Sequence, residues 1–344
     1  MNSRSQDRIH ELDALRGLAA LMIFIFHCSL LIHFEFFYFG VTGVDLFFMI
    51  SGFVIMMSVE RNNDWRHFIV KRVTRIYPAF WVCVSITAIL IIVNEFVNSK
   101  NTLGFVKQYL ANMTMLPSYF NMPYLDEQYW TLEVELLFYL FIVFVLIFQR
   151  EDHLEKVGYV ALGTIFFYSV IIQPYFSSIY ELLDRYMPLL NHFPLFFAGM
   201  LFYKQRQQEE WERYIGILLC FLLTLLLFDH SGRSHFYVSI NLYVLSSITY
   251  FVIFFFLNKK GIVTPLRWPP ILFIGRISYP LYLIHQYFSA VIIRYIVNHL
   301  RVSFFVAVLV ALILTVLIAY LVTRFIEEPA LLRVKKKISR DLNY

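Results

Sequence analysis

Ten stretches of this chain are apolar over the lengths that a lipid bilayer dictates. No other feature of the sequence constrains the fold as strongly. A hydrocarbon core about 30 Å thick needs about 20 residues of helix at about 1.5 Å rise each. The stretches are 15–33, 41–59, 78–98, 130–148, 158–173, 189–203, 214–228, 237–257, 271–296 and 303–326. The fifth and sixth are short and the ninth is long. Backbone N–H and C=O groups in hydrocarbon must be satisfied within their own segment, so such runs fold as helices. Composition agrees: of 344 residues, 59% are hydrophobic and 15% charged, and mean hydropathy is +0.64. One soluble core cannot enclose that much apolar surface. The expected fold is an all-α polytopic membrane helix bundle. It forms a single domain over 1–344, with a core at about 12–330 and a short basic tail at 331–344.

Basic residues set the orientation. Placing the N-terminus in the cytoplasm puts 21 Lys and Arg on that side and 6 on the other, an asymmetry that the positive-inside tendency explains. Both termini are therefore expected to be cytoplasmic, which an even number of spans permits. The first apolar run has no small-residue cleavage site after it and reads as an anchor rather than a signal peptide. Cys28, Cys83 and Cys220 all lie inside apolar runs, with neither disulfide nor metal spacing, and read as small core residues. The outer loop, roughly 99–129, contains Pro117, Pro123 and several aromatic residues, and suits a short amphipathic or re-entrant element.

Ionisable residues within spans are expensive and mark candidate sites. In the first span, Arg16 and His27 are eleven residues apart. That is three turns plus about 20°, so the two share one face about 16 Å apart along the axis. Arginine at the cytoplasmic mouth and histidine near the midplane suit a path entering from the cytoplasm. A lone intramembrane histidine equally serves an interhelical hydrogen bond. In 60–77, expected as a cytoplasmic segment before Pro78 opens the third span, Arg72 and Arg75 are i,i+3 neighbours beside Lys71. Together they make a fork for phosphate, although the positive-inside tendency alone also places basic residues there.

The fourth span opens YWTLEVELLFYL. Trp130 and Tyr129 suit an interfacial belt. Glu133 and Glu135 point about 200° apart, whereas Glu135 and Tyr139 share a face. Each glutamate, and Asp45 in span two, calls for an interior partner, most naturally an arginine or histidine. The ninth span carries a second mid-depth histidine, His285, with Tyr282 one turn below, Gln286 adjacent and Pro280 expected to kink the helix. TRFIEEPALL places Arg324, Glu327, Glu328 and Pro329 at the inner end of span ten, where the proline is expected to end the helix. Phosphate-loop, dinucleotide, zinc-protease and nucleophile-elbow motifs are all missing, which weighs against the corresponding chemistries.

LDALRGLAALMIFIFH, GVDLFFMISGFVI, RVTRIYPAFW, YWTLEVELLFY, ISYPLYLIH and the late EEP occur in an order that resembles integral-membrane acyltransferase family 3, the envelope-polysaccharide O-acyltransferases without an appended esterase-like domain. The resemblance spans roughly 12–330. It implies transfer of an acetyl or other short acyl group from cytoplasmic acetyl-CoA, as co-substrate and without a metal, to a hydroxyl of a cell-envelope polysaccharide such as lipopolysaccharide or of a lipid-linked sugar. It also implies a bacterial cytoplasmic (inner) membrane location, with acyl-CoA, glycan and lipid as partners and no nucleic acid. By the R-x10-H and R-x-x-R motifs, His27 and Arg16 look catalytic, and Arg72 and Arg75, with Arg16, look like CoA contacts. Glu135 matches a further motif position read as catalytic, and Asp45, Trp130, His285 and Tyr282 match positions read as substrate-binding. Leu136 stands where family members often carry a second acid, which leaves the role of Glu133 open.

On physical grounds a neutral imidazole suits the removal of a hydroxyl proton during acyl transfer. Polyanionic CoA is expected to stop at the arginines while its arm threads upward to His27. A transporter or flippase of a lipid-linked saccharide, or a membrane scaffold, would also explain a bundle with buried charges. The absence of inverted repeats counts against the first, and the alignment of Arg16 with His27 against the second.

Overall fold

The computed structural model describes residues 9–95, 102–148, 153–230, 234–257 and 266–341, and among them every regular element is helical. Fifteen α-helices follow one another. They are α1 (His10–Leu30), α2 (Gly43–Arg61), α3 (Trp65–Glu95), α4 (Thr102–Met113), α5 (Trp130–Phe148), α6 (Leu154–Phe167), α7 (Gln173–Tyr175) and α8 (Ser177–Tyr186), then α9 (Leu189–Gln207), α10 (Trp211–Leu226), α11 (Ile240–Leu257), α12 (Pro269–Arg276), α13 (Ser278–Leu300), α14 (Phe304–Val322) and α15 (Glu328–Asp341). Over their described residues the ten apolar stretches are largely helical. Among the described residues seven units are long and apolar enough to cross a membrane: His10–Leu30, Glu35–Arg61, Trp65–Asn94, Glu127–Phe148, Leu154–Tyr175, Ile240–Leu257 and Phe304–Val334. The stretches 189–203, 214–228 and 271–296 are helical but fall outside that set.

α9 explains part of this difference. Residues 191–203 are buried without interruption, including Asn191 and His192, so this helix is enclosed by protein on all sides. It lies against α2 at backbone contact. A Cβ on Gly52 would stand 1.8 Å from the Phe196 carbonyl oxygen, and one on Gly199 would stand 2.0 Å from that of Met49. Only glycine permits such an approach. A second close crossing joins α1 to α12, where a Cβ on Gly17 would lie 2.4 Å from the Ile271 oxygen and one on Gly275 would lie 1.8 Å from the Asp13 oxygen. This crossing fixes the start of α13 relative to α1.

Three local expectations change. Pro78 does not open a helix. It lies inside α3, which begins at Trp65 after a three-residue break, so Arg72 and Arg75 belong to the same helix as the third apolar run. α1 ends at Leu30, which places His27 within its last turn. The ninth stretch is two helices, and the interruption falls at Ile277, the link between α12 and α13. Pro280 sits in the first turn of α13, where a missing N–H costs nothing. Pro329 is the second residue of α15 and starts a helix after a π-helical turn at Thr323–Glu327. Cys28, Cys83 and Cys220 are buried and free, as expected.

Candidate active site

Two adjoining cavities open between α1, α2, α3 and α13. The larger, about 540 Å³, is lined by Lys71, Arg72, Arg75, Arg16, Tyr279 and Glu327 among others. The smaller, about 100 Å³, shares Arg16, Arg72, Arg75 and Tyr279 with it and continues past Glu135, Tyr139, Phe47 and Tyr282. Arg16 and the Arg72–Arg75 pair, about 55 positions apart in sequence, are thus brought to one wall.

These cations are poorly compensated. Arg16 reaches Asp13 only at 3.7 Å. Among the described residues no ion pair within 4 Å involves Arg72 or Arg75. Arg72 is 5% exposed and its Nε lacks a hydrogen-bond partner. Its guanidinium lies 5.3 Å from the Phe68 ring centre and 5.6 Å from that of Tyr139, a cation–π arrangement that holds it in place without cancelling its charge. A buried guanidinium and a half-buried one beside a cavity make a recess for an anion, and the fork geometry suits phosphate.

The glutamates separate as their angular spacing predicts, but their partners are hydroxyls rather than arginine or histidine. Glu135 accepts from Ser51 Oγ at 2.8 Å and Tyr139 Oη at 2.5 Å, at the arginine cavity. Glu133, on the opposite face, accepts from Ser118 Oγ and Tyr124 Oη. Five-turn α5 thereby bridges the cavity and the segment before it. Glu328 pairs with Arg276 and, at 3.3 Å, with Arg324. Asp45, in the first turn of α2 where the helix dipole favours an acid, is buried. It lines none of the cavities described in this section.

Beyond Tyr282 lies the histidine pair. His285 Nε2 is 3.0 Å from His27 Nδ1; His285 Nδ1 is 2.7 Å from the Tyr282 carbonyl oxygen, and His27 Nδ1 is 2.9 Å from that of Ile23. The network assigns the tautomers. A carbonyl can only accept, so His285 Nδ1–H donates to Tyr282, and neutral His285 then has its lone pair on Nε2. That nitrogen shares the single His27 Nδ1–H with the Ile23 carbonyl, which leaves the basic lone pair of His27 on Nε2. Protonation of His27 at Nε2 strengthens the donation from Nδ1 to His285, because the hydrogen bond becomes charge-assisted.

His27 lines two further spaces. One, about 60 Å³, is shared with Val44, Glu127, Gln128, Trp130, Tyr282 and Gln286. The other, about 270 Å³, is bordered by Asn94, Asp126, Glu127, Tyr287 and Arg294. Tyr282 faces both the smaller arginine cavity and the first of these spaces. Its hydroxyl is within 2.7 Å of Thr131 Oγ1 and donates to the Gln128 carbonyl at 3.2 Å, and its ring stands 5.5 Å from His285 and 5.7 Å from Phe47. It is the partition between the two sides. Trp130 lines the histidine side and packs against His192 at 5.2 Å.

Arg16, Arg72, Arg75, Glu135 and Tyr282 therefore share one cavity system, and His27, His285, Tyr282 and Trp130 cluster at its inner end. Ser51, Tyr279 and Glu327 join the site without having been singled out for it. Ser51 and Tyr279 carry no charge that periodicity could flag, and Glu327 was legible only as an acid near a helix end.

A family model described as an acyltransferase domain matches residues 9–324. "Putative O-acetyltransferase SACOL0978" of Staphylococcus aureus (strain COL) is 27% identical over 356 residues, covering 92% of this chain and 56% of the relative, so the chain spans about half the length of that protein. "Nodulation protein 10" of Rhizobium leguminosarum bv. viciae is 26% identical over 274 residues, covering 70% of this chain and 72% of the relative. No solved structure matches. With the match extending over nearly all of its length, this chain belongs to acyltransferase family 3.

Proposed function

We propose that this protein is an integral-membrane O-acyltransferase that moves an acetyl or other short acyl group from acyl-CoA to a sugar hydroxyl. The observation that carries this reading is the contact of His27 Nδ1 with His285 Nε2 at 3.0 Å, one tyrosine away from a cavity walled by Arg16, Arg72 and Arg75, of which Arg72 is buried with its Nε unpartnered. The CoA phosphates occupy the larger cavity against Arg72, Arg75 and Arg16. The pantetheine arm follows the smaller, mostly apolar cavity past Glu135 toward Tyr282, bringing the thioester to the histidines. The acceptor hydroxyl enters from the other side of His27.

The chemistry then needs only the chain's own groups. His27 Nε2 takes the hydroxyl proton as the oxygen attacks the thioester carbonyl, and His285 Nε2 stabilises the imidazolium through Nδ1–H. The tetrahedral intermediate collapses with cleavage of the C–S bond, and the proton passes from His27 to the departing thiolate, giving an O-acyl ester and free CoA. We assign Arg72, Arg75 and Arg16 to CoA, His27 and His285 to proton transfer, and Glu135 to holding Tyr139 beside Arg72. Tyr282 and Trp130 shape the passage. Asp45, removed from the cavities, is assigned to the packing of α2.

The positive-inside asymmetry supports ten spans with both termini in the cytoplasm, and the family supports an envelope glycan or lipid-linked saccharide acceptor in a bacterial inner membrane. Inverted membrane vesicles given radiolabelled acetyl-CoA test the function. Label is expected in an alkali-labile glycan fraction with wild type and not with His27→Ala. Absence of label with wild type across several acyl donors, in vesicles that contain an acylatable glycan, refutes the reading and favours transport of a lipid-linked saccharide.

A further inference from the structure

The turn of α13 that carries His285 is gripped from outside its own helix. The Leu283 carbonyl accepts from Gln128 Nε2 at 2.9 Å and from Tyr129 Oη at 3.2 Å, while the Tyr287 amide donates to Asp126 Oδ2 at 3.1 Å. Residues 283 and 287 are an i,i+4 pair, the two ends of one helical hydrogen-bond step, and His285 lies midway between them. Gln128 Nε2 also donates to Asp126 Oδ2 at 3.2 Å, so its two amide hydrogens tie the two contacts together. Asp126 and Gln128 are each 3% exposed.

The gripping segment is itself anchored. Asn112 of α4, 1% exposed, donates to the Pro123 carbonyl at 3.0 Å and accepts from the Leu125 amide at 3.0 Å. A continuous hydrogen-bonded path therefore runs from α4 through the 123–128 segment to the backbone on either side of His285, and from the Tyr282 carbonyl to the His285 ring. A mid-helix turn has no local need for such contacts, and burying a carboxylate to make them is costly.

Resting on the proposed acyl-transfer reading, we infer that Asp126 and Gln128 are positioning residues that clamp the 283–287 turn of α13 and so hold His285 Nε2 in line with His27 Nδ1. They act by fixing the backbone from which His285 projects. The atom used is one carboxylate oxygen that accepts two N–H groups, so the clamp needs an oxygen in that place and not a negative charge. An asparagine supplies the oxygen; an alanine does not.

Full-length wild type, Asp126→Ala, Asp126→Asn, Gln128→Leu and His27→Ala are compared in inverted vesicles by transfer of label from radiolabelled acetyl-CoA to the alkali-labile glycan fraction, with the amount of folded protein measured by detergent melting curves. Asp126→Ala and Gln128→Leu are expected to lower the maximal rate per folded protein by about 10- to 100-fold, the scale of a 1 Å misalignment. The half-saturating acetyl-CoA concentration stays at the wild-type value, and Asp126→Asn recovers most of the rate. A wild-type maximal rate in Asp126→Ala overturns the inference, as does an asparagine variant no better than alanine. If His27→Ala is inactive while Asp126→Ala is fully active, only the clamp fails. If His27→Ala labels like wild type, the catalytic reading fails with it.

Discussion

Arg72→Met is expected to make the protein more stable and less able to bind CoA. Arg72 is 5% exposed, its Nε has no partner, and no carboxylate lies within ion-pair distance among the described residues. Its compensation comes from two aromatic faces and from its exposure to the cavity. An uncompensated buried charge is a liability in the unliganded state, and replacing it by an apolar chain of similar length relieves about 1–3 kcal/mol. The bound state reverses the balance. A charge-assisted hydrogen bond is worth about 1.5–3 kcal/mol, so its loss weakens CoA binding about 10- to 150-fold.

Thermal melting in detergent reads both effects at once. At a CoA concentration about 100 times the wild-type dissociation constant, binding stabilises wild type by about 2.7 kcal/mol. At the same concentration the variant keeps only about 0.3–1.3 kcal/mol by the same relation. The unliganded melting temperature should rise while the CoA-induced increment largely disappears. An unliganded melting temperature that falls, together with an unchanged CoA increment, would refute the argument that this arginine is held uncompensated for an anion.

Other consequences can be checked by similar means. His285→Ala should lower the maximal transfer rate about 10²- to 10⁴-fold, the range for positioned acid–base groups, with the half-saturating acetyl-CoA concentration unchanged in the vesicle assay. Glu135→Leu removes the acceptor of Ser51 and Tyr139 hydroxyls, so it should raise the half-saturating acetyl-CoA concentration several-fold through a loosened Arg72 wall, as titration of initial rates will show. Gly275→Ala forces a Cβ into the Asp13 carbonyl. Separating α1 from α12 should cost about 1–3 kcal/mol, visible as a lower melting temperature, and should depress transfer because Arg16 and His27 ride on α1.

Periodicity and hydropathy carried the helical architecture and the register of the functional faces. Glu133 and Glu135, placed on opposite faces by their two-residue spacing, are engaged by Ser118 and Ser51 respectively, on separate sides of α5. The eleven-residue spacing of Arg16 and His27 put both on the cavity side of α1. What stayed hidden was long-range pairing. Nothing local signals that His285 meets His27 across 258 positions, or that Gln128 reaches the Leu283 carbonyl. Helix boundaries also escaped, because Pro78 and Pro280 were read through the general cost of proline, whereas the breaks fall at Asn62–Asp64 and Ile277. The partner expectation for Glu135 failed for a physical reason. Two hydroxyls take its hydrogen bonds, so its charge offsets Arg16 and Arg72 from across the cavity rather than in a direct ion pair, and the recess keeps room for an anion.

That preservation connects the two halves of the site. Neutralising Arg72 or Arg75 with a carboxylate would settle the unliganded fold and remove the means of holding a polyanion. Instead Glu135 is held by hydroxyls, Glu328 pairs outward with Arg276 and Arg324, and Glu327, although it lines the larger cavity, makes no ion pair within 4 Å among the described residues. At the other end the logic is inverted: two imidazoles pair in a neutral tautomeric chain that ends on a backbone carbonyl, so the basic nitrogen of His27 is defined without any carboxylate in that chain. Tyr282 stands between, its hydroxyl held by Thr131 and Gln128 and its ring against Phe47 and His285. Because one segment, 126–131, supplies both that hold and the contacts on the 283–287 turn, Tyr282 cannot shift without disturbing the surroundings of His285. Tyr282→Phe therefore tests the coupling. It leaves the ring in place and removes the hydroxyl, so it should lower the maximal transfer rate while leaving acetyl-CoA half-saturation unchanged. A variant altered only in half-saturation would mean that Tyr282 serves the donor cavity alone.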